Sequence, residues 1–435
     1  MMDRYNWQWV EAQVGSTIEV WNRSAAPQPP SGPAYSFDEH CLRERAYDAG
    51  LRAVEQEAQR LPRVAQERTL AQNRLTAMFA RFAVTALGLE NETVNLLTDD
   101  FLPTGIRFAQ LARRFDAQIS RADTIQACRN AWTACGLQPL LGVPAQVTPS
   151  ILAYSLLYPY TDNYLDSQDV PAATKLTFSQ RFGERLRGKD PSALNQHEAA
   201  VWALVAMIEG EYPRTEYPQV FDCLLAIHQA QEDSLAQLRN CDQRSACELL
   251  KLSFAKGGTS VLADACLARG CLDLDESRFA FLWGALLQLG DDLQDVREDL
   301  RAGSDTLFTR AASQGVPLDS LVTQLLHFCE LIGAGMERLP HGSARLKSLL
   351  KMSWRSLILG AVADAHEFFS PPFILKAERS SPFRFEFLRA RRKKLSSRQG
   401  LYTVLFDLFV EARDGAMTEP LRHFDRPTPC FQPVI

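Results

Sequence analysis

Residues 280–303, AFLWGALLQLGDDLQDVREDLRAG, limit what the chain can fold into more than any other stretch. The first half is apolar at helical spacing, and the second half carries Asp291, Asp292, Asp295 and Asp299. Residues four apart in an α-helix lie one above the other on a single face. The spacing therefore predicts a column of Asp291, Asp295 and Asp299, with Asp292 beside it. Like charges so placed repel and destabilise a helix. A column kept directly after an apolar run calls for something positive. Arg297 and Arg301 supply part of it. A divalent cation supplies it more fully, because Mg²⁺ takes hard oxygen ligands and pairs a few carboxylates with substrate phosphates. The plain alternative is a solvated charged face.

A second acidic cluster upstream changes the weighing. The segment SLLYPYTDNYLDSQD holds Asp162, Asp166 and Asp169 at i, i+4 and i+7, directly after the apolar helical stretch 151–158. Several helices fit between the two clusters and can bring them face to face. Two facing acidic helix faces at the mouth of an apolar bundle make a site for three Mg²⁺ ions and a diphosphate. One DxxxD is a weak signal; the pair is a strong one.

The third informative stretch is SFAKGGTSVLADACLARG. A Gly257-Gly258 pair inside a helical pattern costs about 1 kcal/mol per glycine against alanine. Such a cost is tolerated for close packing, a kink or access to a ligand. Lys256 could reach a diphosphate there, while Thr259 and Ser260 could bond a freed carbonyl or the ligand. The bland reading is a kinked core helix with a surface lysine.

Composition sets the class. Of the 435 residues, 46% are hydrophobic and 23% charged, as in ordinary soluble globular proteins. The net charge of −5 supplies no basic face for nucleic acid. Ten cysteines without CxxC or Cys/His pairing argue against a zinc site or disulfide framework and for reduced core thiols. MMDRYNWQWVEAQVG lacks the layout of a signal peptide, and the apolar runs, about a dozen residues at most, are too short to span a bilayer. The expectation is a cytoplasmic protein, with peripheral membrane contact left open for a greasy substrate and a homodimer left open as well.

Residues 1–36 read as an irregular N-terminal arm, because SAAPQPPSGPAYS is rich in Pro, Gly and Ser. From about residue 38 onward the pattern is helical, and no alternating run is long enough for a sheet. The expectation is an all-α catalytic domain over 37–375. Thr148-Pro149-Ser150 is a start signal for the helix carrying the first acidic cluster. SPPF at 370–373 reads as the close of the helical core. Residues 376–435 form a basic helical tail that includes Arg384, Arg389, Arg391 and Arg392. A solvated amphipathic helix is the first reading of that tail. A cap that brings arginines to a diphosphate, or a membrane-surface patch, is the second.

At the acidic stretches the chain resembles the class I isoprenoid synthases. GALLQLGDDLQDVREDLRAG is similar to the second signature of the squalene/phytoene synthase branch, where a Gln-Leu pair precedes an acidic DVxED segment and a Gly follows. TDNYLD resembles that branch's first DxxxD. The second stretch is also similar to the NSE/DTE metal motif of terpene synthases. YPYTDNYLD and KGGTSVLADA resemble the bacterial large-terpene synthases of the tetraprenyl-β-curcumene type. The matching motifs cover about 60 residues. The Tyr/Val-Ala-Gly segment of head-to-head synthases and the Gly-Lys-x-Arg segment of chain-elongating enzymes are absent, and Asn163 stands where many relatives have a second acid.

The resemblance implies a single large α-helical bundle of the class I isoprenoid synthase type. It implies Mg²⁺, three ions, held by Asp162, Asp166, Asp291, Asp292, Asp295 and Asp299, of which Asp162, Asp166, Asp291, Asp295 and Asp299 carry the chemistry. The substrate is then an allylic prenyl diphosphate, contacted by Lys256, Thr259, Arg297, Tyr158, Phe254 and Gln288. An aromatic pocket of Tyr154, Tyr158, Phe254, Phe281 and Trp283 would shield the carbocation left by departing pyrophosphate. The expected activity is that of a terpene synthase acting on one prenyl diphosphate. A head-to-head squalene/phytoene-type synthase and a non-catalytic isoprenoid-binding helical protein are the alternatives.

Overall fold

The computed structural model describes residues 5–30, 32–60, 65–167, 169–235, 244–396 and 399–410, and among these there is no strand. The chain runs through α1 (Trp7–Arg23), α2 (Phe37–Ala58), α3 (Ala65–Phe82), a π-helical turn (Ala83–Leu87), α4 (Asn91–Asn95) and a second π-helical turn (Leu96–Phe101). Then follow α5 (Leu102–Phe115), α6 (Arg121–Leu140), α7 (Pro149–Asp166), α8 (Ala172–Leu186), α9 (Gln196–Glu211) and α10 (Pro218–Leu235). The centre of the molecule is α11 (Ala246–Arg269) and α12 (Leu274–Gln294), continued by α13 (Val296–Ala302) and α14 (Leu307–Ser313). The chain ends in α15 (Asp319–Glu337), α16 (Ala344–Asp364), α17 (Pro371–Arg379), α18 (Phe385–Ser396) and α19 (Gln399–Val410).

Local chemistry explains where these helices begin. Ser36 with Glu39, Ser245 with Glu248 and Asp273 with Glu276 form capping boxes at the starts of α2, α11 and α12. Thr148 caps α7 and Pro149 fills its first turn, as the sequence predicts. SPPF does not close the helical core. It opens α17, with Ser370 as the cap and the prolines in the first turn, where a missing N–H costs nothing.

α11 is buried on nearly every side and α12 lies along it. α6, α7 and α10 cover one flank of the pair, and α15 and α16 pack against α12 on the other. The glycine pair resolves as close packing rather than a kink. A methyl group on Gly257 would lie 2.3 Å from the Gly284 carbonyl oxygen, and one on Gly258 would lie 2.5 Å from the Phe281 ring. Backbone meets backbone there, so α11 stays continuous and brings Ser253 and Lys256 against the acidic end of α12.

Two expectations are corrected. The irregular arm over 1–36 contains α1, which packs on α11, α12 and α15. Trp21 is 3% exposed and meets Phe254 and Phe328 edge-on, while Val10 and Val14 are buried beside it. Each such side chain contributes about 1.5–3 kcal/mol by burial, which outweighs the Pro-rich connection that follows. The basic tail is only in part a solvated face where it is described: Lys376, Arg379, Arg392 and Lys393 are exposed, but three arginines are engaged. Arg384 donates to Glu44 (Nε to Oε1, 3.0 Å), Arg391 to Asp48 (2.5 Å) and Arg389 to the Ala363 carbonyl (3.0 Å), so α18 is tied down on α2 and α16. Residues 411–435 of the predicted tail lie outside the described residues. Among the described residues Cys41, Cys128, Cys135, Cys247, Cys266 and Cys329 are free thiols, as expected, but Cys271 is disulfide-bonded. No described helix is long and apolar enough to cross a membrane.

Candidate functional site

The acidic column survives a change of helix. α12 ends at Gln294 and Asp295 joins it to α13, with φ −94° and ψ 4°. The Asp295 amide still donates to the Asp291 carbonyl and the Asp299 amide to the Asp295 carbonyl, both at 2.9 Å. The i, i+4 stacking of the three carboxylates is therefore kept.

Their electrostatics show crowding. Burial pushes the Asp292 carboxyl up to about 6, against hydrogen bonds from Gln288 Nε2 and Ser253 Oγ, each 2.8 Å long, that favour its charged form. Asp291 is also pushed up to about 6, by burial of its surroundings and then by Asp292 and Asp295, while Arg129 and Lys256 pull it down. The Asp291 side chain is 47% exposed and 3.5 Å from Arg129. Burial raises Asp295 and Asp299 too; Glu298 adds to the first and Asp295 to the second.

Cations from three other helices face this column. Arg129 of α6 acts on Asp291 and Asp295, and Lys256 of α11 acts on Asp291, Asp292 and Asp299. Arg392 of α18 is ion-paired with Asp364 and lowers Asp295. Arg297, one of the expected substrate contacts, is engaged elsewhere. Its Nε donates to Glu367 (2.6 Å) and its terminal nitrogen to the Asp364 carbonyl (2.8 Å).

The first cluster stands at the end of α7. Asp162 is half-buried and accepts from Gln231 Nε2 (2.9 Å) and Thr161 Oγ1 (3.2 Å). Asp166 is the last residue of α7, and its side chain lies outside the described residues. Tyr158 links the two clusters. Burial raises its phenol, and the charges acting on it include both Asp162 and Asp291, with Lys256 and Arg129 opposing. The fold thus brings both acidic stretches to one tyrosine.

Below that tyrosine lies a narrow cavity of about 460 Å³, open mouth included. Leu157, Phe182, Leu186, Leu224 and Ile227 give it apolar walls. Tyr154 and Tyr158 line it as expected, and Tyr154 donates to the Ser260 carbonyl (3.2 Å). The other three aromatic candidates pack in the core. Phe254 stacks on Phe328, Phe281 meets Trp9 edge-on, and Trp283 packs on Trp354. Thr259 is fully buried, and its hydroxyl bonds the Ala255 carbonyl one turn back (2.6 Å). Gln288 reaches Asp292 from within the same helix rather than from a separate subsite.

Several groups at the site carry no motif. Arg129 and Gln231 lie on helices away from the acidic stretches in sequence, and Ser253 opens the glycine-pair stretch without being marked by it. Asp264 had a signal: it is the one acid in the apolar run SVLADACLA. It is 1% exposed, and burial holds its carboxyl well above the ordinary range. Asn130, in the cavity wall, donates to Asp264 Oδ1 (3.0 Å) and to Ser155 Oγ (3.1 Å). Among the described residues, Oδ2 of Asp264 has no hydrogen-bond partner.

The donor set suits Mg²⁺. The column offers hard carboxylate oxygens that crowd one another, and such an arrangement relaxes when a divalent charge enters it. Among the described residues, no three His, Cys, Asp or Glu side chains stand together as a ready-made metal cage. Mg²⁺ does not need one, because it keeps several waters and takes substrate phosphate oxygens alongside one or two carboxylates. No family model, curated protein or solved structure matches the chain.

Proposed function

We propose that the chain is a class I terpene synthase that ionises one allylic prenyl diphosphate, releasing pyrophosphate. The observation that carries this reading is the joint influence of Asp162 and Asp291 on Tyr158 at the mouth of a single apolar cavity. Asp162, Asp166, Asp291, Asp292, Asp295 and Asp299 would hold Mg²⁺ there. Bound Mg²⁺ supplies charge neutralisation for the departing diphosphate.

The chain's own residues do the rest. Lys256, Arg129 and Arg392 face the column and take the outer oxygens of the diphosphate, so negative charge that develops on departure meets fixed cations. Arg297 has no part in this; Glu367 and the Asp364 carbonyl hold it. The prenyl chain enters between α7 and α10. Tyr154 and Tyr158 present ring faces to the positive charge, and the leucine, isoleucine and phenylalanine walls keep water from it.

The test is a product assay. Purified protein with Mg²⁺ is offered prenyl diphosphates from C10 to C35 singly, with and without isopentenyl diphosphate. The expected result is pyrophosphate with a hydrocarbon of the same carbon count as its substrate. A doubled count makes it a head-to-head synthase, and no pyrophosphate with any substrate makes it a binding protein.

A further inference from the structure

We infer that His228 is the base that ends the reaction, taking a proton from the carbocation inside the cavity, with Glu232 as its positioning residue. The inference rests on the reading of the chain as a terpene synthase. It goes beyond that reading by assigning the step that decides which alkene is made.

His228 stands on α10 in the cavity wall, between Ile227 and Gln231 in a lining that also holds Phe182. It is 6% exposed. Its Nε2 is 3.8 Å from Glu232 Oε1, and Glu232 in turn accepts from Ser179 Oγ (2.8 Å). A methyl group on Gly183 would lie 2.9 Å from Nε2, so this nitrogen faces the backbone of α8, where His228 is hydrogen-bonded to the Ser179 backbone. A neutral imidazole carries its proton on one ring nitrogen and keeps a lone pair on the other.

The surroundings keep the ring ready to accept. Burial lowers the imidazole from its ordinary 6.5. Of the charged groups acting on it, Glu232 on its own helix raises it and Arg187 of α8 lowers it. Across the cavity, α7 contributes Asp162, already bonded to Gln231, and the phenols of Tyr154 and Tyr158. α11 contributes Ser260 and no charge to the cavity wall.

The step balances without a co-reactant. The C–H bond next to the cationic carbon breaks, and its electron pair becomes the new C=C bond. The proton passes to the unprotonated ring nitrogen of His228, giving an imidazolium. The Glu232 carboxylate stabilises that cation, and the proton returns to solvent when product leaves. Phe182, Leu186 and Leu224 exclude water, so an alkene forms rather than an alcohol.

The test compares wild type, His228→Gln and Glu232→Gln with Mg²⁺ and the prenyl diphosphate that wild type turns over, following pyrophosphate and product identity across pH. His228→Gln is expected to release pyrophosphate within a few-fold of wild type while its alkene falls roughly hundred-fold in favour of alcohols or other isomers, the scale of a lost general base. In wild type the same loss sets in as pH falls through the imidazole pKa, and Glu232→Gln moves that transition to lower pH. An unchanged alkene in His228→Gln, with the wild-type pH profile, overturns the inference and leaves the terpene synthase reading standing. If His228→Gln does not fold, the Glu232→Gln profile decides, and an unshifted transition overturns the assignment. No pyrophosphate from wild type overturns both.

Discussion

Where α18 lies against α2, each carboxylate meets a guanidinium. Arg384 reaches Glu44, which is 5% exposed, and Arg391 reaches Asp48. Along α12 and α13 the same kinds of group are arranged in the opposite sense. Four carboxylates press on one another, share the more distant Arg129, Lys256 and Arg392, and shift toward their neutral forms. Charges paired one to one hold two segments together. Charges crowded on one side, with cations held back around them, suit the proposed ligand, which brings charge of both signs. A metal-bound diphosphate does so.

Neutralising the two regions should have opposite effects. The largest effect expected is on turnover. Asp295→Asn should reduce pyrophosphate release at least ~100-fold, the scale of one lost electrostatic contact in an active site. It should also raise the unfolding midpoint, because it relieves repulsion. A variant with wild-type rates, or one less stable than wild type, breaks the contrast from the side of the column.

Arg384→Ala tests the other side. It leaves Glu44 buried without its guanidinium and should cost about 2–3 kcal/mol in urea unfolding, somewhat under the cost of breaking a fully buried pair because Arg384 is 37% exposed. The rate per folded molecule should not change. A rate that falls along with stability would show that the clamp also serves the site.

Asp264 belongs to neither arrangement, since it lacks both an opposing cation and a crowd. Its folded-state pKa lies above its unfolded value, so the native protein binds the extra proton. Its contribution to stability is full below about pH 4 and is lost as pH rises toward the folded value, at up to ~1.4 kcal/mol per pH unit. Unfolding midpoints from pH 4 to 8 should fall less steeply in Asp264→Asn than in wild type. Parallel curves would mean that the acid is not held neutral.

The smallest effect expected is on the stability of Arg129→Ala. The Arg129–Asp291 pair is about half exposed on both sides, so its loss should move stability by less than ~1 kcal/mol. Diphosphate affinity, measured by calorimetry with Mg²⁺, should weaken about tenfold, as for loss of one charge-assisted contact. Equal affinity would return Arg129 to the surface and reduce the column's cations to Lys256 and Arg392.

The sequence alone determined that the chain is helical, roughly where most helices start, and which stretches carry crowded acid. Those facts are local: helical periodicity, a cap three residues from its partner and an i, i+4 column are all written within one or two turns. Even α1 was legible, since Val10, Val14 and Trp21 repeat at helical spacing, but the Pro-rich stretch after it drew the reading toward an irregular arm. Tertiary structure decided the rest. It turned the Gly257-Gly258 pair into a backbone contact with Gly284, sent Arg297 to Glu367 instead of to the column, and put Phe254, Phe281 and Trp283 into the core while His228 and Asn130 line the cavity. Which side chains meet depends on helices distant in sequence packing in one register, and no local pattern carries that information.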